Sequence, residues 1–147
     1  MKDKKSETFI YEDLGFPIEL IDCPLKKVLG VWVIDIDMNA FQLFVLRELI
    51  HQPYRLTGGQ LRFMRKYMDM STTEFGAHLG VSHAAIVKWE KGQIHPDPAQ
   101  EVYIRMFLLE FLSNGELQKI YDEIKPAQLA ENKKEKPPML SVHALAG

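Results

Sequence analysis

The spacing of apolar positions changes once along the chain, from an extended pattern to a helical one. Residues 16–22 and 27–37 are rich in β-formers (Ile18, Leu20, Val31, Trp32, Val33, Ile34, Ile36) and predict a sheet-like ribbon, with Cys23-Pro24-Leu25-Lys26 as the connection. Residues 1–8 read as a solvated tail and 9–15 as irregular chain. A lone hairpin is marginal in water, so something must cover it. The expected cover is a helix opened by Asn39 with Gln42 three residues on, carrying Phe41, Phe44, Val45, Leu46, Leu49 and Ile50 until Pro53 stops it.

Beyond Pro53 the helix starts announce themselves as caps. Thr57 with Gln60, Ser71 with Glu74, and Asp97 with Pro98 and Gln100 each place a short acceptor before a helix and a reciprocal partner three residues later. Ser71 opens a helix over 72–79 that Gly80 ends, because glycine enters the left-handed conformation without penalty. Ser82 then caps a second helix through Trp89, closed by Gly92. The connection Gly80-Val81-Ser82 forces a steep crossing, for which Ala77 is the expected small contact residue, with Phe75, Leu79, Val81, Ile86 and Trp89 buried together. The helix after Pro98 has almost no polar face, so both of its sides need cover, one from the bundle and one from the front module or a second chain. Ser113 with Glu116 predicts a further helix bearing Leu117, Ile120, Tyr121 and Ile124, and from 126 the composition predicts a disordered tail.

The formal charge of −2 argues against a nucleic-acid partner until it is divided. Residues 55–95 carry +3, whereas 1–54 carry −3 and 96–147 carry −2. The basic excess sits on the two capped helices and their surroundings. No apolar run reaches membrane-spanning length, no signal-peptide core follows the charged start, and one cysteine makes no disulfide framework, so a cytoplasmic protein with no membrane partner is expected. His51, His78, His83, His95 and His143 show no metal spacing, Cys23 has no activating neighbour in sequence, and Gly58-Gly59 is too short for a phosphate loop. Neither catalysis, a cofactor nor a metal is expected.

The run Leu61, Arg65, Met70, Ser71, Glu74, Phe75, Ala77, Leu79, Gly80, Val81, Ser82, Ile86, Trp89, Glu90 and Gly92 resembles the Cro/C1-type (XRE-family) helix-turn-helix over roughly residues 56–112. The resemblance implies a compact bundle of four or five helices whose third, about 82–90, lies in the DNA major groove. Residues 54–66, YRLTGGQLRFMRK, are also similar to the entry into the C-terminal domain of MqsA-type antitoxins, in which a toxin-binding zinc domain precedes a DNA-binding, dimerising domain. The zinc does not carry over, because Cys23 alone cannot build a tetrahedral thiolate site. The expected fold is therefore mainly α, of the α+β class. A β-ribbon plus helix module (9–53) precedes a five-helix lambda-repressor-like bundle (54–125), with a flexible tail at 1–8 and a disordered one at 126–147.

Within that resemblance, His83, Ala84 and Lys88 stand where side chains would read bases: lysine can donate to guanine, histidine to a base or phosphate, and alanine can meet a thymine methyl. A solvated helix face would look the same in isolation. Thr72 and Thr73 at a helix start, Ser82, Lys91, Gln93 and Arg62 are the phosphate candidates, although Ser82 also serves as a cap and Lys91 and Gln93 also suit a solvated loop. Thr72 stands where the family usually has glutamine. Arg65 and Glu90 match positions that the family pairs across the bundle, which implies an internal salt bridge. The resemblance implies a homodimer on an inverted-repeat operator in double-stranded DNA, most readily an antitoxin that represses its own promoter and holds a toxin protein with residues 9–53. Two alternatives stay open: a phage-type or stress repressor with no toxin, and an interaction adaptor that has lost DNA binding.

Overall fold

The computed structural model describes residues 3–113, so the helix expected after Ser113 and the C-terminal tail lie outside the described residues. The described chain is mixed α and β. A three-stranded antiparallel sheet, β1 (Lys4–Tyr11), β2 (Ile18–Val28) and β3 (Val31–Ile34), is ordered β1-β2-β3. Five helices follow: α1 (Met38–His51), α2 (Gly58–Tyr67), α3 (Thr72–Leu79), α4 (His83–Glu90) and α5 (Pro98–Leu112).

The sheet departs from expectation in two places. Residues 4–11, of which 4–8 are expected as tail and 9–11 as irregular chain, form β1, paired with β2 from Lys4 opposite Lys26. Their order comes from contacts distant in sequence: the Lys5 ammonium lies 4.3 Å from the centre of the Trp32 ring, and Lys4 pairs with Asp35 at 3.9 Å. The supposed connection 23–26 is part of β2. A bulge explains why it did not look like strand. Glu7 faces Cys23 and Phe9 faces Leu20, so Thr8 alone stands opposite Ile21 and Asp22, and the Asp22 amide donates to Thr8 Oγ1 at 3.0 Å. The extra residue shifts the inward alternation from Ile18 and Leu20 to Cys23 and Leu25, where an unbroken period of two would have turned Asp22 and Pro24 inward. Leu29 and Gly30, both at positive φ, make the two-residue hairpin turn into β3.

Helix α1 starts two residues earlier than expected. Asp37, not Asn39, is its cap, accepting from the amides of Asn39 at 2.9 Å and Ala40 at 3.2 Å. The reciprocal caps of α2, α3 and α5 are all present. One continuous hydrophobic core runs from Phe16 through α1 to every helix behind it, with Leu46, Met64, Phe75, Ile86, Ile104 and Leu108 inaccessible to solvent. Each of these contributes about 2 kcal/mol by burial. The Phe16 and Phe63 rings meet edge to face at 5.6 Å, which joins the sheet side to α2.

The first turn of α2 fits only without side chains. A Cβ on Gly59 would stand 2.5 Å from the Gly15 carbonyl oxygen, and one on Gly58 would overlap the carbonyls of Trp89 and Glu90. Helix α5 is fastened to the α1–α2 connection by Glu101, which is buried although charged. Its carboxylate accepts from the Leu56 amide at 2.7 Å and from Arg105 at 2.8 Å, and it pairs with Arg55. Arg105 also donates to the carbonyls of Ile50 and Tyr54. The outer side of α5 stays uncovered among the described residues: Val102, Met106 and Leu109, one face of the helix, are each about half exposed.

Burial pushes the Glu101 carboxyl up, but the hydrogen bonds from Arg105, Arg55 and the Leu56 amide outweigh it and hold the group below its ordinary value. A carboxyl depressed in the folded state stabilises fully above its unfolded pKa, and that contribution disappears as pH falls through the folded value. Glu101→Gln should therefore lower the thermal midpoint at neutral pH and make it less sensitive to acid below about pH 4.5. Calorimetric melts of both proteins from neutral to acid pH measure this; parallel acid limbs would show that Glu101 does not provide the linkage.

Candidate nucleic-acid interface

Helices α3 and α4 meet through a three-residue turn built from local signals. Gly80, at φ 70° and ψ 29°, ends α3 in the left-handed conformation, and the Val81 amide returns to the Gly76 carbonyl at 2.9 Å. Ser82 Oγ then accepts from the Ala85 amide at 3.1 Å and starts α4. The small residue at the crossing is Gly76, not Ala77: a Cβ on Gly76 would lie 2.7 Å from the Val81 carbonyl oxygen, while Ala77 faces outward. Helix phase decides this, because burying Phe75 rotates position 76 toward the turn and 77 away from it.

The same periodicity sorts α4 into two edges. Ile86 and Trp89 are buried and Glu90 is turned inward. His83, Ala84 and Lys88 are exposed, and Lys91 follows them on the same side as the C-terminal cap. Val87, between Ala84 and Lys88 in sequence, is half-buried at this outward edge. Its interval from Ala84 and Lys91 places it on this side of the helix. The outward edge carries His83, Lys88 and Lys91 and no carboxylate.

Glu90 is withdrawn from that edge by Arg65. The guanidinium makes two bonds to the carboxylate, Nε to Oε2 at 2.6 Å and Nη2 to Oε1 at 2.9 Å, while Nη1 donates to the Met70 carbonyl at 2.8 Å. Both side chains are about nine-tenths covered. The hydrogen bonds to Glu90 raise the Arg65 pKa further, against the opposing effect of burial, so the guanidinium stays charged.

The phosphate candidates do not form one group. Thr73 is exposed and Thr72 half buried in the first turn of α3, behind the cap in which Ser71 and Glu74 exchange bonds. Ser82 is exposed, with its hydroxyl accepting in the α4 cap. Lys91 and Gln93 are exposed where the chain leaves α4, and the Gln93 amide donates to the Lys88 carbonyl at 3.0 Å. Arg62 and Lys66 line a polar cleft of about 640 Å³ that also includes Asp13 and Glu90. Arg62 is thus grouped with the C-terminal end of α4, away from His83 at its start.

No protein-family model matches the chain, and none of the curated proteins matches it.

Glu90→Ala should strand the buried Arg65 guanidinium and lower unfolding stability by about 3 kcal/mol, whereas Lys88→Ala should leave the denaturation midpoint where it is. Urea titrations of the two variants test this. Equal losses would contradict the assignment of one residue to support and the other to an exposed edge.

Proposed function

We propose that the chain is a sequence-specific DNA-binding transcription regulator of the Cro/C1 helix-turn-helix type, in which α3, the Gly80-Val81-Ser82 turn and α4 form the DNA-binding unit within a lambda-repressor-like bundle. The observation that carries this proposal is the outward edge of α4. Its residues His83, Ala84, Lys88 and Lys91 are exposed, it carries only cationic charge, and it is backed by Ile86, Trp89 and the Arg65–Glu90 pair. A major groove about 12 Å wide admits such a helix. His83, Ala84 and Lys88 face base edges, with Val87 apolar between them, and Thr73, Ser82, Lys91 and Gln93 contact phosphates.

The regulator acts as a homodimer in the cytoplasm, with two recognition helices about 34 Å apart on an inverted repeat. The stripe of Val102, Met106 and Leu109 on α5, uncovered among the described residues, favours a second chain, because apolar residues at helical spacing are stabilised by losing water against a partner. In its most specific form the protein is an antitoxin that represses its own promoter and holds a toxin on residues 9–53. An apolar groove of about 620 Å³ between β2 and α1 supports this role. Glu19, Asp22 and Glu48 line the groove and no cation does, which suits a basic partner.

Gel shifts on the DNA immediately upstream of the coding sequence test the proposal. A specific complex should form whose affinity falls steeply with salt. Lys88→Ala should weaken it about tenfold, the loss of one good base contact. Binding indifferent to salt and to sequence would overturn the regulator assignment and favour an interaction adaptor.

A further inference from the structure

Behind the outward edge of α4, on the side facing α5, lies a cavity of about 380 Å³ that the DNA-binding proposal does not use. Three elements wall it. His78 and Leu79 come from the end of α3, Trp89 from the buried edge of α4, and Gln100, Tyr103 and Ile104 from the first half of α5. The volume lies within the range of small-molecule sites, whereas an apolar cavity of about 150 Å³ already holds benzene.

We infer that this cavity is a binding site for a small, uncharged, flat aromatic compound carrying a single polar group, of the phenol or indole class. Three features select that chemistry. The lining includes no aspartate, glutamate, lysine or arginine, so an ionised ligand would lose hydration without gaining a counter-charge. The walls include the rings of Trp89, Tyr103 and His78, surfaces against which a flat ring packs edge-on or offset. Two lining side chains can meet one polar group. Gln100 uses Oε1 to accept from the Asp97 amide at 2.8 Å, which leaves its amide NH₂ as a donor. The Tyr103 hydroxyl, its pKa raised by burial, stays neutral and can donate or accept. The site is formed by the same packing that positions α4, and its existence does not depend on what the outward edge of α4 contacts.

Indole is a suitable probe, and Trp89 is a built-in reporter. In ¹H–¹⁵N correlation spectra of the full chain, indole should shift the Trp89 indole resonance saturably, with a Kd below about 1 mM, and leave Trp32 unmoved. Trp32 is the control because it sits on the sheet beneath Lys5. Indole-3-acetate, the same ring with a carboxylate, should bind at least tenfold more weakly. Ala99 lies exposed at the rim of the cavity in the first turn of α5, so Ala99→Leu should obstruct the site without disturbing the core and reduce indole affinity at least tenfold at an unchanged melting temperature. Tyr103→Ala, which removes a wall from a partly exposed position, serves as the second variant if Ala99→Leu alters the fold. An unmoved Trp89 resonance, equal shifts at Trp32, or unaltered affinity in the folded variants would overturn the assignment. Loss of DNA binding alone would leave it standing.

Discussion

The arrangement of the helices rests on how closely α2 approaches its neighbours. At Gly58 and Gly59 the backbone of α2 touches the carbonyls that end α4 on one side and the Gly15 carbonyl on the other, with no side chain between. Two turns further along the same face, Arg65 reaches Glu90 with paired hydrogen bonds. Helix α4 is therefore held at its C-terminal end by backbone contact and by a charged pair. Such a pair adds little net stability, because two ions must give up water to form it. Its effect is positional: with Ile86, Trp89 and Glu90 fixed inward, helical periodicity turns Ala84 and Lys88 outward, and His83 is exposed as the first residue of the helix.

A second charged cluster does the corresponding work where α1 leads into α2. A helix ends with carbonyls that have no partner within it. Here Arg105 of α5 donates to the carbonyls of Ile50 and Tyr54, and Glu101 beside it accepts from the Leu56 amide and from both Arg55 and Arg105. A buried carboxylate would be costly alone, yet this one satisfies a turn that has no regular structure of its own. The start of α2, and with it the tight contact at Gly58, is fixed from both directions.

The parts of this structure that were legible in the sequence are those encoded within a few residues. Thr57 with Gln60, Ser71 with Glu74 and Asp97 with Gln100 act over a single turn, and each forms as its spacing implies. Strand pairing is not local. Residues 4–8 contain nothing apolar up to Thr8, and their order depends on Trp32 and Asp35. The bulge at Ile21 and Asp22 hides the alternation of β2 because it changes phase in mid-strand. Glu101 looks like a surface acid complementing a helix start, and its burial depends on Arg55, 46 residues away. On α4 the outward edge follows from helix phase once the caps are known, whereas the close contact at the crossing falls on Gly76 and not Ala77, because it depends on which side of α3 buries Phe75.

Net charge says little about a chain that separates its charges in this way. The overall −2 combines an acidic front with a basic middle, and each field is felt over about 10 Å at ordinary ionic strength. The acidic groove lies between β2 and α1 and the cationic edge on α4, so the two signs of charge are presented on separate surfaces. Helix α4 is packed on α2, whose contacts with the Gly15 turn and with α4 involve backbone atoms that no rotamer change can release. Moving α4 away from α2 would have to break these contacts beside a helix whose Leu61 and Met64 are almost fully buried. The presentation of α4 is thus a property of the whole core. A substitution that weakens a complex together with stability reports on the support beneath the edge, and one that weakens the complex alone reports on the edge.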